Sequence, residues 1–571
     1  MSGRKNRTGR DRTGRDRTER KRTGGKGPGR KTVGQDGGGQ DSGGRNRAGR
    51  LLAGGLAVLL LGGTATGIGA AAFALDQPAQ RGVDVPLAAV PAGDFVAQCP
   101  ATARLPEGAT VPGTDPAFAA SSKSARTAVR AVVLSDLAQR VPGASVALLN
   151  GKNLRTLSEV LPAAEAERTQ AIGEEGTSRR EAVVVSGMAE TAATVLSVQP
   201  LGGRQSVASM VRSYTADDGD LAGLAVSRCQ SPASDQWLLG ASTTVGSTAV
   251  LVLANPSGTA ATVNLELHGA EGPIEAANTS GLVLAPGESR SIVLAGLAAG
   301  EAALSVRVRS AGGPVTALIQ QSVLRGLTPG GVDYIEPAAA QSQTQVVPGV
   351  AVQDPAATRK VSAQDGYSTA VPELRVAVPG TQDATLRVRA LGADGEAALP
   401  GSGTVTAAGG ATTAVALDGL PAGTYTLVVE SDVAVVAGAR LVRGTKEDAP
   451  VDAAWASSAE RIGSEHLLAV AQRADAALAF GSVDGSGTVE LRPVDADGTI
   501  GAAQTLAVAE GATELRKVSE LGGDTVAVLV SSSGAAVYGA QVLTRGNAGI
   551  SAITIPPAVE GQRGVQVDIR Y

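Results

Sequence analysis

Aromatic, histidine and cysteine side chains are scarce in this chain: its 571 residues include 6 Tyr, 4 Phe, 2 Trp, 2 His and 2 Cys. So few ligands exclude a multi-Cys/His zinc, haem or iron–sulfur site, and no cofactor or metal is expected. They also make a His-dependent nucleophilic enzyme hard to build, and no G-x-S-x-G elbow is present. What is abundant is Gly, 75 residues, with 28 Pro, a composition that argues against a helical bundle.

The net charge of −4 conceals a division. Residues 1–50 hold 16 Lys/Arg against 5 Asp/Glu, whereas the rest of the chain holds 34 against 49. A split of this kind suits two parts in different environments, such as the two sides of a membrane. The first 50 residues repeat Arg-Thr-Gly-Arg-Asp (Arg7–Asp11, Arg12–Asp16) and contain almost no apolar side chain. Burial cannot offset the ordering entropy there, which predicts a disordered basic cytoplasmic tail. The tail has no aromatic residue to stack on a base, so nucleic acid is not an expected partner; its charge instead sets topology.

Leu51–Leu75 carries no charge over 25 residues. As a helix it would be about 37 Å long, enough for a hydrocarbon layer of about 30 Å. Arg45, Arg47 and Arg50 precede it and Asp76 follows, so the expectation is a transmembrane signal anchor over 51–75 in contact with membrane lipid. The N-terminus is then cytoplasmic and residues 76–571 are extracellular. The segment also reads as a signal peptide, Leu-rich at first and ending Ala72-Phe73-Ala74, with secretion if the chain is cleaved after Ala74. The long tail favours the anchor.

Cys99 and Cys229 both fall on the outer side, where thiols oxidise, and an even pair predicts one intrachain disulfide. It would tie together the ends of a first domain, residues 83–240. In that domain Ala125–Arg140 and Leu161–Ala171 read as short helices and Ala182–Val198 as strand.

Beyond Leu251 short runs alternate apolar and polar residues between Gly and Pro, the period of half-buried antiparallel strands. A shift of 123 positions carries Ala261 onto Ala384, Leu265 onto Val388 and Gly269 onto Gly392, an internal duplication. A fainter third copy ends at Thr544-Arg545-Gly546, as the others end at Leu324-Arg325-Gly326 and Val442-Arg443-Gly444. The fold expected is therefore mainly β, with tandem immunoglobulin-like β-sandwich repeats over 241–336, 346–445 and 453–571.

No residue pattern announces chemistry. His268 falls where the second copy has Leu391, on the polar face of its strand, which gives a general-base role no support. His466 has no Ser or Cys signature nearby. Asp217-Asp218-Gly219-Asp220 and Asp495-x-Asp497-Gly498 offer oxygens to calcium, yet neither continues as a full twelve-residue loop ending in Glu, and both suit hairpin corners. Trp237 and Trp455 are sugar-stacking candidates whose sequence surroundings fit core or interface positions better.

Gly223–Cys229, Pro232, Trp237–Gly240 and Leu251–Pro256, then Gly330–Asp333 and Val347–Gly349, come in an order that resembles a family of actinobacterial envelope proteins classified only as a domain of unknown function. The resemblance covers most of residues 83–546. It implies a single-pass or secreted protein and brings no activity and no catalytic residues. The function expected is a non-enzymatic, membrane-anchored cell-envelope scaffold whose partners are envelope proteins or wall glycan. The alternative is a carbohydrate-binding module assisting glycan assembly. An enzyme using paired carboxylates ranks third, because duplicated sandwiches display surfaces rather than a unique cleft.

Overall fold

Alternating runs of the sequence fold as antiparallel strands with one face buried. Along Ala261–His268, Val263, Leu265 and Leu267 are buried while Thr262 and Asn264 face solvent. The structure is a computed structural model that describes residues 87–90, 92–106, 122–168, 180–399, 404–417, 419–444, 450–558 and 563–566. The basic tail 1–50 and the apolar segment 51–75 lie outside these residues. Among the described residues no helix is long and apolar enough to cross a membrane.

After β1 (Leu87–Val90) the strands fall into four groups. The first contains β2 (Phe95–Cys99), β3 (Arg126–Leu134), β4 (Ala144–Leu148), β5 (Asn153–Ser158), β6 (Ala182–Met188), β7 (Thr194–Val198), β8 (Ala208–Ala216) and β9 (Gly223–Arg228). The second contains β10 (Asp235–Ala241), β11 (Ser247–Ala254), β12 (Ala261–His268), β13 (Pro273–Ile274), β14 (Leu282–Leu284), β15 (Ser289–Val293), β16 (Leu304–Gly312), β17 (Thr316–Arg325) and β18 (Thr328–Ile335). The third contains β19 (Ser342–Val352), β20 (Glu373–Ala377), β21 (Ala384–Gly392), β22 (Gly395–Ala397), β23 (Thr404–Ala407), β24 (Thr412–Ala416), β25 (Gly423–Arg443) and β26 (Asp452–Ser457). The fourth contains β27 (His466–Ala469), β28 (Asp475–Ser482), β29 (Gly487–Asp495), β30 (Gln504–Val508), β31 (Thr513–Lys517), β32 (Thr525–Gly534), β33 (Val537–Arg545) and β34 (Gly549–Thr554), and β35 (Arg563–Gln566) follows.

All four groups share one topology. In the first, sheet β2-β7-β4-β5 faces sheet β6-β3-β8-β9, and in the fourth β27-β32-β29-β30 faces β31-β28-β33-β34. In the second, β13 and β14 share the fourth position; in the third, β22 and β23 do, and the 21-residue β25 passes from one sheet into the other to serve as both sixth and seventh strand. The sheets are sandwich-like as expected, and their order does not confirm the immunoglobulin-like expectation. An immunoglobulin domain pairs its first two strands in one sheet, whereas here the first and second strands lie in opposite sheets.

The structure also holds four copies where the sequence showed three. The first domain is the fourth copy, and its expected helix over Ala125–Arg140 is strand β3, because Val129, Val132 and Val133 are β-branched and buried between two partner strands. Helix in Leu161–Ala171 is reduced, among the described residues, to one turn at Ala163–Ala166. Two strands belong across the expected boundaries: Asp235–Ala241 opens the second sandwich, and Asp452–Ser457 returns to complete the third by pairing with β25.

The four sandwiches close into a ring. Tyr214 and Ala225 of the first pack on Leu318 and Tyr334 of the second. Trp237 and Leu239 of the second meet Ala377 and Val436 of the third, and Val346 and Leu391 of the third meet Val483 of the fourth. Leu467 and Leu543 of the fourth return to Val132 and Leu224 of the first. Three of the four junctions repeat one contact, the start of a fifth strand against the end of the preceding sandwich's third. Thr412 N donates to Gly269 O at 2.9 Å, Thr513 Oγ1 to Leu391 O at 2.6 Å, and Ala182 N to Gly498 O at 2.9 Å. β1 and β35 pair antiparallel, which brings the two ends of this unit together.

Cys99 and Cys229 form the expected disulfide, joining the end of β2 to the residue after β9 across 130 positions of sequence. By chain entropy a loop of that length stabilises the fold by about 4–5 kcal/mol. Reduction, or paired Cys99→Ala and Cys229→Ala substitution, is expected to lower the unfolding free energy by about that amount in a denaturant titration. An unchanged midpoint would mean that the ring alone holds the first sandwich shut.

Candidate functional site at the ring axis

The eighth strand of each sandwich is an edge strand, and the four edges, β9, β18, β26 and β34, meet around the ring axis. An edge presents N–H groups without ladder partners, which cannot stay unpaired once buried. Side chains supply the acceptors. Asp452 Oδ2 accepts from Leu224 N at 2.9 Å and from Ile550 N at 3.2 Å, so one carboxylate of β26 bridges to β9 and β34. Asp333 of β18 accepts from Trp455 N at 2.8 Å and from the Ser551 hydroxyl at 2.9 Å, and Ser551 Oγ accepts from Val226 N at 3.2 Å. Gly331 is required by this approach: its φ is 107°, and a Cβ there would lie 2.1 Å from Asp452 Oδ1.

Just beyond β18, Glu336 Oε1 accepts from Ser227 Oγ at 3.1 Å, and its other oxygen lies 3.7 Å from Arg228 Nε. Burial pushes all three carboxyls upward, Asp452 and Glu336 to about 7 and Asp333 well above its ordinary value. Arg228 and Ser227 pull Glu336 the other way, as do the backbone N–H groups around Asp452.

Where these strands finish, the chain flares and encloses a pocket of about 360 Å³. Gln230 after β9, Ala338 after β18, Ser458 after β26 and Pro556 after β34 all line it. Phe95 and Ile555 extend its apolar wall, and Asp235, Glu460 and Glu465 its polar side. Gln230 is 5 % exposed, and neither atom of its side-chain amide has a hydrogen-bond partner among the described residues.

The residues singled out from the sequence lie elsewhere or serve the frame. His268 is buried rather than on a solvent face: its Nδ1 lies 2.7 Å from Gly410 O at the junction of the second and third sandwiches, and its ring is 5.1 Å from that of Trp237. His466 is fixed between Pro556 O and Gly463 N, and burial pushes its pKa down. Asp217 pairs with Arg545, Asp218 accepts from Ser124, and Asp497 accepts from Thr499 N in its turn. Among the described residues no group of three His, Cys, Asp or Glu is placed to hold a metal ion. Trp455 offers no face to a sugar, since it enters the core of the second sandwich against Gly240 with the Arg375 guanidinium 4.6 Å from its ring. The axial carboxylates escaped sequence reasoning. Their one signal was a charge amid apolar residues, as in Val332-Asp333-Tyr334.

The chain belongs to a family of unknown function (DUF5719), whose model matches residues 184–519, from β6 of the first sandwich into the fourth. No curated protein and no solved structure matches the chain.

Asp452→Ala leaves the Leu224 and Ile550 N–H groups unpaired, and at about 1–3 kcal/mol for each buried donor the expected loss is about 3 kcal/mol or more in denaturant unfolding. Asp452→Asn, which keeps one acceptor oxygen, should recover part of it. An alanine variant as stable as the parent would refute the bridging role.

Stability should also depend on pH. Glu336 and Asp452 rise to about 7 in the folded chain from ordinary values of 4.5 and 3.8. The native state therefore binds more protons than the unfolded chain across that window, and stability falls as pH rises through 7. The contribution of these groups makes the protein more stable at pH 5 than at pH 8, and Glu336→Gln should flatten the dependence. Equal slopes for parent and variant in thermal melts from pH 5 to pH 8 would contradict it.

Proposed function

We propose that this DUF5719 member is a non-enzymatic, single-pass membrane-anchored protein of the cell envelope, whose ring stands outside the membrane as a rigid binding scaffold. The observation that carries this reading is the ring itself. Four copies of one sandwich pack into a closed body whose buried carboxylates are engaged in holding strand edges together rather than facing a cleft. A disulfide in the first sandwich fits an oxidising compartment. The basic tail and the uncharged Leu51–Leu75 segment supply an anchor and its orientation. The ring's surface is then free to hold envelope proteins or wall glycan.

The test is intact mass and N-terminal sequencing of native protein from separated membrane and culture fractions. A membrane-bound chain that begins with the basic tail is expected. A soluble chain beginning at Leu75 would remove the anchor.

A further inference from the structure

We propose that the axial pocket is a binding site for a neutral polyhydroxylated ligand, a sugar residue, which is read by the side-chain amide of Gln230. The inference rests on the reading of the ring as a binding body and names the ligand class of its axial site.

The argument is one of unpaired groups. Gln230, which lines the pocket, brings a donor and an acceptor, both buried and without protein partners among the described residues. A buried amide with neither atom paired is costly, and a group that satisfies both recovers that cost. An anion offers acceptors alone and leaves the Gln230 oxygen unpaired. Among the described residues the one cation lining the pocket is Arg228, which already faces Glu336. An ammonium offers donors alone and leaves the amide N–H group unpaired. A hydroxyl donates and accepts at one atom, so neighbouring hydroxyls on a ring satisfy both ends of the amide.

The rest of the lining agrees. Phe95, Ala338, Ile555 and Pro556 give apolar surface for the C–H face of a sugar, and the Glu460 carboxylate accepts from hydroxyls, whereas Asp235 and Glu465 already pair with Arg307 and Arg180. A volume of about 360 Å³ is at the small end for ligand sites and suits a single residue or the end of a glycan. The frame is rigid where it matters, because Gln230 follows the disulfide-bonded Cys229 directly, and its backbone exchanges two hydrogen bonds with Gln98, at 2.8 and 2.9 Å.

The experiment uses full-length protein in lipid nanodiscs, which avoids sugar-headed detergents. Glucose, galactose, mannose, arabinose and N-acetylglucosamine, with their disaccharides, are titrated while saturation-transfer NMR and tryptophan fluorescence are recorded. Inorganic phosphate, putrescine and a Gly-Pro-Ala tripeptide form the comparison arms. At least one neutral sugar is expected to bind, and Gln230→Leu should weaken it by about tenfold or more. The same substitution should leave the melting temperature unchanged or raised, since it removes a buried unpaired amide of similar size. A stronger response to a disaccharide assigns a glycan end and an equal one a free sugar, and either supports the site. Binding of none of the sugars, preference for phosphate, putrescine or the peptide, full affinity in Gln230→Leu, or a clear loss of its thermal stability would each overturn the proposal. The readout is independent of where the chain resides, so its failure leaves the anchored scaffold standing, and a secreted chain leaves a sugar result standing.

Discussion

Four strand edges that meet where no water can satisfy them set the terms for the rest of this molecule. A row of buried N–H groups must find acceptors, and these four strands belong to four different sheets, so a ladder across them is not available. Asp452 and Asp333 answer the need with side-chain oxygens, at the cost of burying two carboxyl groups. Their geometry then dictates sequence. Gly331 has no side chain because Asp452 occupies that space, and Gly223 approaches the same carboxylate, where a Cβ would lie 3.0 Å from its Oδ1. A charge within a strand and a glycine on its neighbour are thus one device.

The ring explains the composition. A sandwich whose two sheets pack closely and whose flanks also pack against neighbours is filled by Val, Leu and Ala; large rings would separate the layers. The core of the second sandwich, with Leu251, Leu265, Val306 and Ile319, is of this kind, and several of the described aromatic side chains lie between sandwiches. Trp455, Trp237, Tyr214 and Tyr334 all sit at junctions.

Much of this was legible in the sequence and some was not, for reasons of range. The alternation over Thr262–His268 is local, so the strand and its buried face could be read directly, and the 123-residue shift carried β12 onto β21. The disulfide followed from there being two cysteines. The first sandwich was hidden because Ala and Arg in Ala125–Arg140 favour helix locally, whereas two flanking strands settle the matter as β3. Strand Asp452–Ser457 was assigned to the wrong copy because its partner lies across a linker. The axial carboxylates were invisible for the same reason: the groups that need Asp452 are Leu224 and Ile550, 228 and 98 positions away.

Duplication and divergence divide the labour between frame and pocket. Three of the four junctions repeat, with Thr412 on Gly269 and Thr513 on Leu391 in corresponding places, because copies of one sandwich meet their neighbours in similar ways as the ring closes. The ends of the eighth strands are under no such demand. Each projects past the packed axis into one shared space, and there the four copies differ: Gln230 brings an amide, Ala338 a methyl, Ser458 a hydroxyl and Pro556 a ring. A symmetric frame of this kind gives a single asymmetric pocket, one per ring, with its walls drawn from every copy. The disulfide lies in the copy whose last strand leads to Gln230, so a covalent constraint is placed directly beside a buried amide that has neither atom paired among the described residues.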